Sequence, residues 1–335
     1  MSERILIARS GRLGDMVMVA PAVREIIKRH PDAEFTFFTS PDGYALFQNY
    51  DPRIKNFLVN GRTPFSRRLK WVYLFFKIRK MNFDLTYCLD GDWRIRQLLK
   101  HSAGNIFKFD ERNNTGVVHA AIRALNSIGV NSHNLSDIDV PFIPIEPDKY
   151  SELVEYLFDQ GISDKDILIG LNPSFSGLRR KKTRKYKLWA PNNWAALSDR
   201  LYQYGLENNL PIKVAIYSLP KEKYLAEEIH SISNHPPILL VPKSDLGLFE
   251  AYLSRLNLFI GPDSGGTHLA AGVGTELIAL FAITNPYDCG PVVTDMPSSV
   301  IQAENKGNSD MNLDLITVDN VFDIVKQKLE KITNK

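Results

Sequence analysis

The stretch Leu258-Phe259-Ile260-Gly261-Pro262-Asp263-Ser264-Gly265-Gly266-Thr267-His268-Leu269-Ala270-Ala271 reads as a strand that stops on a tight turn and restarts as a helix. A short run that is apolar on both faces reads as a buried parallel strand. A glycine-rich turn feeding a helix gathers unpaired backbone amides and the positive end of the helix dipole at one point, where an anion binds. Asp263, Gly265 and Gly266 shape that turn, and Ser264 and Thr267 are expected to add hydroxyl donors. A plain strand–helix turn needs no such succession of polar residues. His268 alone would read as a structural histidine; beside Thr267 at a helix start it reads as a phosphate or sugar contact. Residues 277–282 form the next apolar run, ending in Thr284-Asn285-Pro286 at the same edge.

The same alternation runs through the whole chain. Strands are expected at 5–8, 35–39, 56–59, 85–89, 167–172, 213–218, 238–241, 258–261 and 277–282. Helices are expected at 15–29, 66–80, 116–128, 148–160, 192–204, 221–231, 246–253, 267–272 and 321–332. Repeated strand–helix alternation implies an α/β fold with doubly wound parallel sheets. At 335 residues two domains are the default. The boundary falls in Pro141-Phe142-Ile143-Pro144-Ile145-Glu146-Pro147, because three prolines in so short a run exclude helix interior and central strand. The expected domains are 1–145 and 146–318, with a closing helix in 319–335.

The loop after the first strand is Arg9-Ser10-Gly11-Arg12-Leu13-Gly14-Asp15. In a doubly wound sheet such a loop faces the crevice where ligands bind. Asp15 then either caps the helix that follows or projects into that crevice. The loop lacks the glycine spacing of a dinucleotide fingerprint and the Gly-Lys-Ser/Thr ending of a P-loop, which excludes the second and argues against a dehydrogenase. The second domain opens with an apolar run, then small residues 172–177, then a basic run in which seven of the nine residues 179–187 are Lys or Arg. Lys187, beside Trp189, reads as one fixed ammonium suited to a diphosphate. Residues 179–185 read as a solvated, disordered charge run.

Composition narrows the classes further. The chain is 44% hydrophobic and 24% charged, with a net charge of +3 and no low-complexity tract. Its two cysteines, Cys88 and Cys289, lack metal-ligand spacing and suit a reduced compartment. No apolar run approaches the ~20 residues that span a bilayer. The expectation is a cytoplasmic protein, peripheral at most at the inner face of the inner membrane. Residues 61–83 hold seven basic side chains and no acid, a segment suited to phosphates or an anionic leaflet. Asp90-Gly91-Asp92 invites a metal reading, but it follows a strand of the first domain, and neither metal nor cofactor is expected. No nucleic-acid-reading module is recognisable.

Three segments taken together resemble glycosyltransferase family 9, the ADP-heptose:lipopolysaccharide heptosyltransferases. They are Gly11-Arg12-Leu13-Gly14-Asp15, Lys187-Leu188-Trp189 with Pro191 and Trp194, and Asp263 to Ala271, reinforced by Leu280-Phe281, Thr284-x-Pro286 and Gly290-Pro291. Order and spacing fit over roughly residues 4–291. The resemblance implies a GT-B architecture, two Rossmann-like domains facing across a cleft, with the closing helix returning to the first. It implies an inverting transfer of a heptose from ADP-heptose to a lipid-linked lipopolysaccharide core acceptor. Asp15 would be the general base. Lys187, Thr183, Asp263, Ser264, Gly265, Gly266, Thr267 and His268 would bind the donor. Ser10, Arg12, Arg62, Arg67, Asp92 and Arg94 are the acceptor-side candidates. The alternatives are the same chemistry with another nucleotide sugar or acceptor, or a nucleotide-sugar isomerase of the same architecture.

Overall fold

The strand Arg4–Ala8 (β1) is buried at every position after Arg4 and has a parallel partner on each side, the environment that a run apolar on both faces requires. The structure is a computed structural model describing residues 2–61, 67–100, 102, 105–108, 118–304 and 311–333. From β1 the chain continues through α1 (Leu13–Arg29), β2 (Glu34–Thr39), α2 (Pro41–Phe47), β3 (Ile54–Val59), α3 (Arg67–Met81), β4 (Leu85–Cys88), α4 (Trp93–Leu99), β5 (Asn105–Lys108) and α5 (Ala120–Ser127). These strands form one parallel sheet in the order β3-β2-β1-β4-β5.

The second half runs through α6 (Pro147–Asp159), β6 (Ile167–Leu171), α7 (Lys181–Lys187), α8 (Pro191–Glu207), β7 (Ile212–Tyr217), α9 (Lys223–Ile232), β8 (Ile238–Leu240) and α10 (Leu246–Arg255). It ends with β9 (Leu258–Pro262), α11 (Gly265–Gly272), β10 (Leu277–Phe281), α12 (Pro286–Cys289), α13 (Met296–Ser299), β11 (Val300–Gln302) and α14 (Val318–Thr333). Its sheet is parallel throughout, in the order β11-β10-β9-β6-β7-β8. The chain divides into one unit of Met1–Ile143 with Tyr287–Cys289, and another of Pro144–Pro286 with Gly290–Lys335.

Both sheets are doubly wound, as the alternation predicts. Each reverses its winding once, between β1 and β4 in the first unit and between β6 and β9 in the second. There the loops at the carboxyl ends of the two strands diverge and leave a crevice. β5 and β11 were absent from the expected strands. Each lies at a sheet edge with one neighbour, so neither needs the doubly apolar pattern of an interior strand.

Two expectations are corrected. The basic run does not stay disordered, since residues 181–187 form α7. Lysine and arginine are good helix formers, and Arg184, Lys185 and Lys187 in the last turn oppose the negative end of the dipole. The closing helix, in turn, stays with the second unit rather than returning to the first. Val321, Phe322, Val325 and Leu329 of α14 share one buried cluster with Trp189, Trp194 and Ile316. Phe322 meets Tyr204 of α8 edge-on, Arg200 pairs with Asp319, and the buried Lys328 pairs with Glu276. The apolar stripe of α14 is thereby consumed against α8 and β10.

Candidate active site

The crevice of the first unit is built from carboxylates. The loop after β1 presents backbone amides, and three acids take them in turn. Asp90 accepts from Ser10 N at 2.7 Å, Asp15 from Arg12 N at 3.0 Å, and Asp42 from Leu13 N at 3.0 Å. Amides already bound to carboxylates are not open to a phosphate, which gives the missing P-loop motif its physical counterpart. Asp15 sits in the first turn of α1, with its other oxygen 3.8 Å from the Arg9 guanidinium. Its side chain is 42% exposed, so capping the helix does not bury it. Arg9 is 15% exposed and donates to Leu89 O at 3.2 Å, which fixes the cation behind the acid.

The acceptor-side candidates fare unevenly. Ser10 and Arg12 lie in this loop, each contributing a backbone N–H to it. Asp92 caps α4, accepts from Arg94 N and pairs with the Arg94 side chain at 2.5 Å. That guanidinium holds the Asp92 carboxyl below the usual range. Asp92 and Arg94 thus satisfy one another. Asp90 is buried and divides its oxygens between Ser10 N and Asp92 N; burial pushes its carboxyl up, against those two amides. Arg62 lies outside the described residues, as does the side chain of Arg67 at the start of α3.

The crevice of the second unit is built from cations, glycine and hydroxyls. Trp189 is 1% exposed, donates Nε1–H to Ile316 O at 2.9 Å and packs edge-on against Trp194, with ring centroids 4.8 Å apart. Ala190 N donates to Asp314 at 2.8 Å. These contacts pin the end of α7, and the pinned end carries Lys187. Its ammonium donates to Asp263 Oδ2 at 2.6 Å and Asp263 O at 3.0 Å. Thr284 Oγ1 donates to the same carboxylate oxygen at 2.6 Å. Asp263 thus aims the lysine, and an ammonium has a third N–H to give. Thr284 belongs to the site although the sequence reading gave it no role; its place in the loop after β10, next to the turn after β9, was the available signal.

Ser264 caps α11, accepting from Thr267 N at 3.4 Å. Its hydroxyl also meets that of Thr267, which donates in turn to Pro262 O. Both hydroxyls are spent inside the turn, a correction to the expectation that they serve as free donors. The amides of Gly265 and Gly266, the first two helical positions, are left without a helical carbonyl to reach. A side chain at Gly266 would press on Asn172 Nδ2 at 3.1 Å and Phe249 at 3.3 Å, so glycine lets the β6 loop approach closely without displacing either. His268 is buried beneath the turn, with Nε2 3.9 Å from Asp263. A cavity of about 280 Å³ opens beside these groups, lined by Lys182, Thr183, Tyr186, Lys187, Asp263 and Thr284 among others. Lys182 and Tyr186 had no expected role, since nothing in a basic run marks which members face inward before α7 is known.

This site can hold an anion with one aimed ammonium and two helix-end amides. The model of glycosyltransferase family 9 (heptosyltransferase) matches residues 149–311, the segment that builds it. The chain is a glycosyltransferase that resembles family 9 over this segment. This glycosyltransferase is 23% identical over 309 residues to the lipopolysaccharide core heptosyltransferase of Haemophilus influenzae, covering 86% of this chain and 82% of that one. Its fold is that of the family 9 glycosyltransferase from Veillonella parvula, with a TM-score of 0.78, 20% identity, and 99% and 98% of the two chains covered. It also matches the fold of the Escherichia coli ADP-heptose lipopolysaccharide heptosyltransferase II, with a TM-score of 0.73, 14% identity, and 98% and 99% covered. The glycosyltransferase therefore has the GT-B pair of doubly wound sheets.

Proposed function

We propose that this glycosyltransferase transfers a heptose from ADP-heptose to a lipopolysaccharide core acceptor, inverting the anomeric carbon, with Asp15 as general base. The observation that carries the reading is the Lys187–Asp263 pair beside the Gly265 and Gly266 amides at the switch point of the second sheet. The relatives' names supply the sugar and the acceptor.

In the reaction the acceptor hydroxyl oxygen attacks the anomeric carbon while its proton passes to the Asp15 carboxylate. The bond between that carbon and the diphosphate oxygen breaks, and ADP leaves with the electron pair. Positive groups already aimed at the leaving oxygens stabilise that charge without reorganising. Lys187 and the two glycine amides fill this role, and Thr183, facing the same cavity, is placed to help. Asp263, Ser264, Thr267 and His268 act through the cradle, as aiming and shaping residues. The first unit takes the acceptor, with Ser10, Arg12, Asp92 and Arg94 at its crevice. A lipid-borne acceptor places the enzyme in the cytoplasm, working at the inner face of the inner membrane. Among the described residues no helix is long and apolar enough to cross a membrane.

Asp15→Asn tests the base. An amide oxygen still accepts from Arg12 N, so the cap survives while the proton acceptor is lost. Transfer should fall by about 10²- to 10⁴-fold with ADP affinity and Tm unchanged. Equal loss of transfer and ADP affinity would overturn the assignment. A panel of ADP-, UDP- and GDP-sugars, read by thermal shift, tests the donor; preference for a UDP- or GDP-sugar would sink the ADP-heptose reading.

A further inference from the structure

Helix α3 carries a surface that sugar transfer does not use. Its inward face is Leu74 and Ile78, both buried, with Trp71, Phe75 and Met81 packed on the same cluster around Leu6, Phe38 and Cys88. That alone is the apolar stripe a surface helix needs. The opposite face is not polar, however. Val72, Tyr73 and Phe76 are 53%, 60% and 65% exposed. At about 100° per residue they fall together on the side turned away from Leu74 and Ile78. On the same helical wheel Arg79 lies at one flank, Lys77 at the other and Lys80 between them. All three are exposed, and the Lys77 ammonium stands 5.7 Å from the centre of the Tyr73 ring. Not one acid occurs in residues 61–83, against seven basic residues.

Clustered exposed apolar side chains mark a contact surface, and their charge selects the occupant. A second copy of the chain meeting this face across a two-fold axis would set Lys77, Arg79 and Lys80 near their own copies, like charge against like. An anionic bilayer suits both halves of the pattern. The apolar side chains enter the headgroup region, and long basic stems reach lipid phosphates from beside them. The neighbouring helix α4 opens with Trp93, 70% exposed, a residue type favoured at membrane interfaces.

We propose that the outward face of α3 docks this protein onto an anionic lipid bilayer. Val72, Tyr73 and Phe76 supply the inserted surface, and Lys77, Arg79 and Lys80 meet the phosphates. The inference deepens the membrane-side reading above but stands on α3 alone, so it survives if the donor or the sugar proves different.

The test is co-sedimentation of the full chain with phosphatidylcholine vesicles, with and without about one part in four of phosphatidylglycerol. The protein should sediment with the anionic vesicles, far less with the neutral ones, and should be released as salt rises. Lys77→Gln with Lys80→Gln should weaken binding about thirtyfold, the share of two basic side chains. Tyr73→Ser with Phe76→Ser should weaken it at least about tenfold through lost apolar burial. All four side chains are exposed, so both variants should keep the Tm of the parent. Equal binding to both vesicle types, binding to neither, or variants that bind like the parent would each overturn the proposal. A concentration-dependent dimer abolished by the Tyr73/Phe76 variant, without vesicle binding, would make the face a contact between copies instead.

Discussion

Asp15 does two jobs with one carboxylate. Its Oδ2 closes the first turn of α1 by accepting from Arg12 N, and its Oδ1 faces Arg9. The space around it is set by Gly11, because a Cβ there would stand 2.7 Å from Asp15 Cβ and 2.9 Å from Oδ2. Gly11→Ala should therefore push the proposed base off its line. Displacement of about 1 Å from a productive geometry can cost on the order of 10²-fold. Steady-state transfer should show kcat falling by about that factor while ADP affinity, measured by calorimetry, stays level. An unchanged kcat would place the reacting carboxylate elsewhere. In the sequence Asp15 could be read as cap or as crevice acid, and the structure accommodates both. Its neighbours Asp42 and Asp90 were not legible as members of the same loop. Each reaches it from a different segment, and only the β3-β2-β1-β4-β5 order brings those segments together.

At the scale of elements, the join between α7 and α8 is what turns a basic run into a site. Trp189 anchors it through Nε1 to Ile316 O, just ahead of α14. Trp189→Phe keeps a ring against Trp194 but strands that carbonyl inside the core. An unsatisfied buried group costs about 1–3 kcal/mol, so Tm should drop by several degrees. With the end of α7 loosened, Lys187 should lose its aim, and the Michaelis constant for the donor should rise. A stability loss without any donor effect would show that the anchor holds the core alone. Strands apolar on both faces, such as β1, β6 and β9, could be read directly, since their burial requires that pattern. α2 and α4 could not, being a turn or two long, with Pro41-Asp42-Gly43 and Gly91-Asp92 reading as turn. α7 was hidden by its charge: without knowing that Trp189 is buried, nothing in Lys-Lys-Thr-Arg-Lys-Tyr-Lys distinguishes a helix from a solvated tail. The destination of α14 was open for a related reason. An amphipathic stripe states that a partner exists but not which sheet supplies it.

At the scale of the molecule, each unit completes a crevice of opposite character from its own sheet. The first places carboxylates where β1 and β4 part, and the second places an ammonium and open amides where β6 and β9 part. Because every group of the second crevice is supplied by residues 144–286 and 290–335, donor binding should be a property of that unit. This is testable by hydrogen exchange on the whole chain. Saturating ADP should slow amide exchange at residues 181–187 and 263–268 and leave the amides of residues 9–15 unchanged. Ligand at a hundred times its dissociation constant adds about 2.7 kcal/mol of stability, enough to raise Tm by several degrees. Lys187→Met should remove most of that shift, since the amides alone would then face the diphosphate. Protection spread equally over residues 9–15 would mean that the nucleotide is shared between the crevices. The division of labour between a carboxylate half and a cationic half would then have to be abandoned.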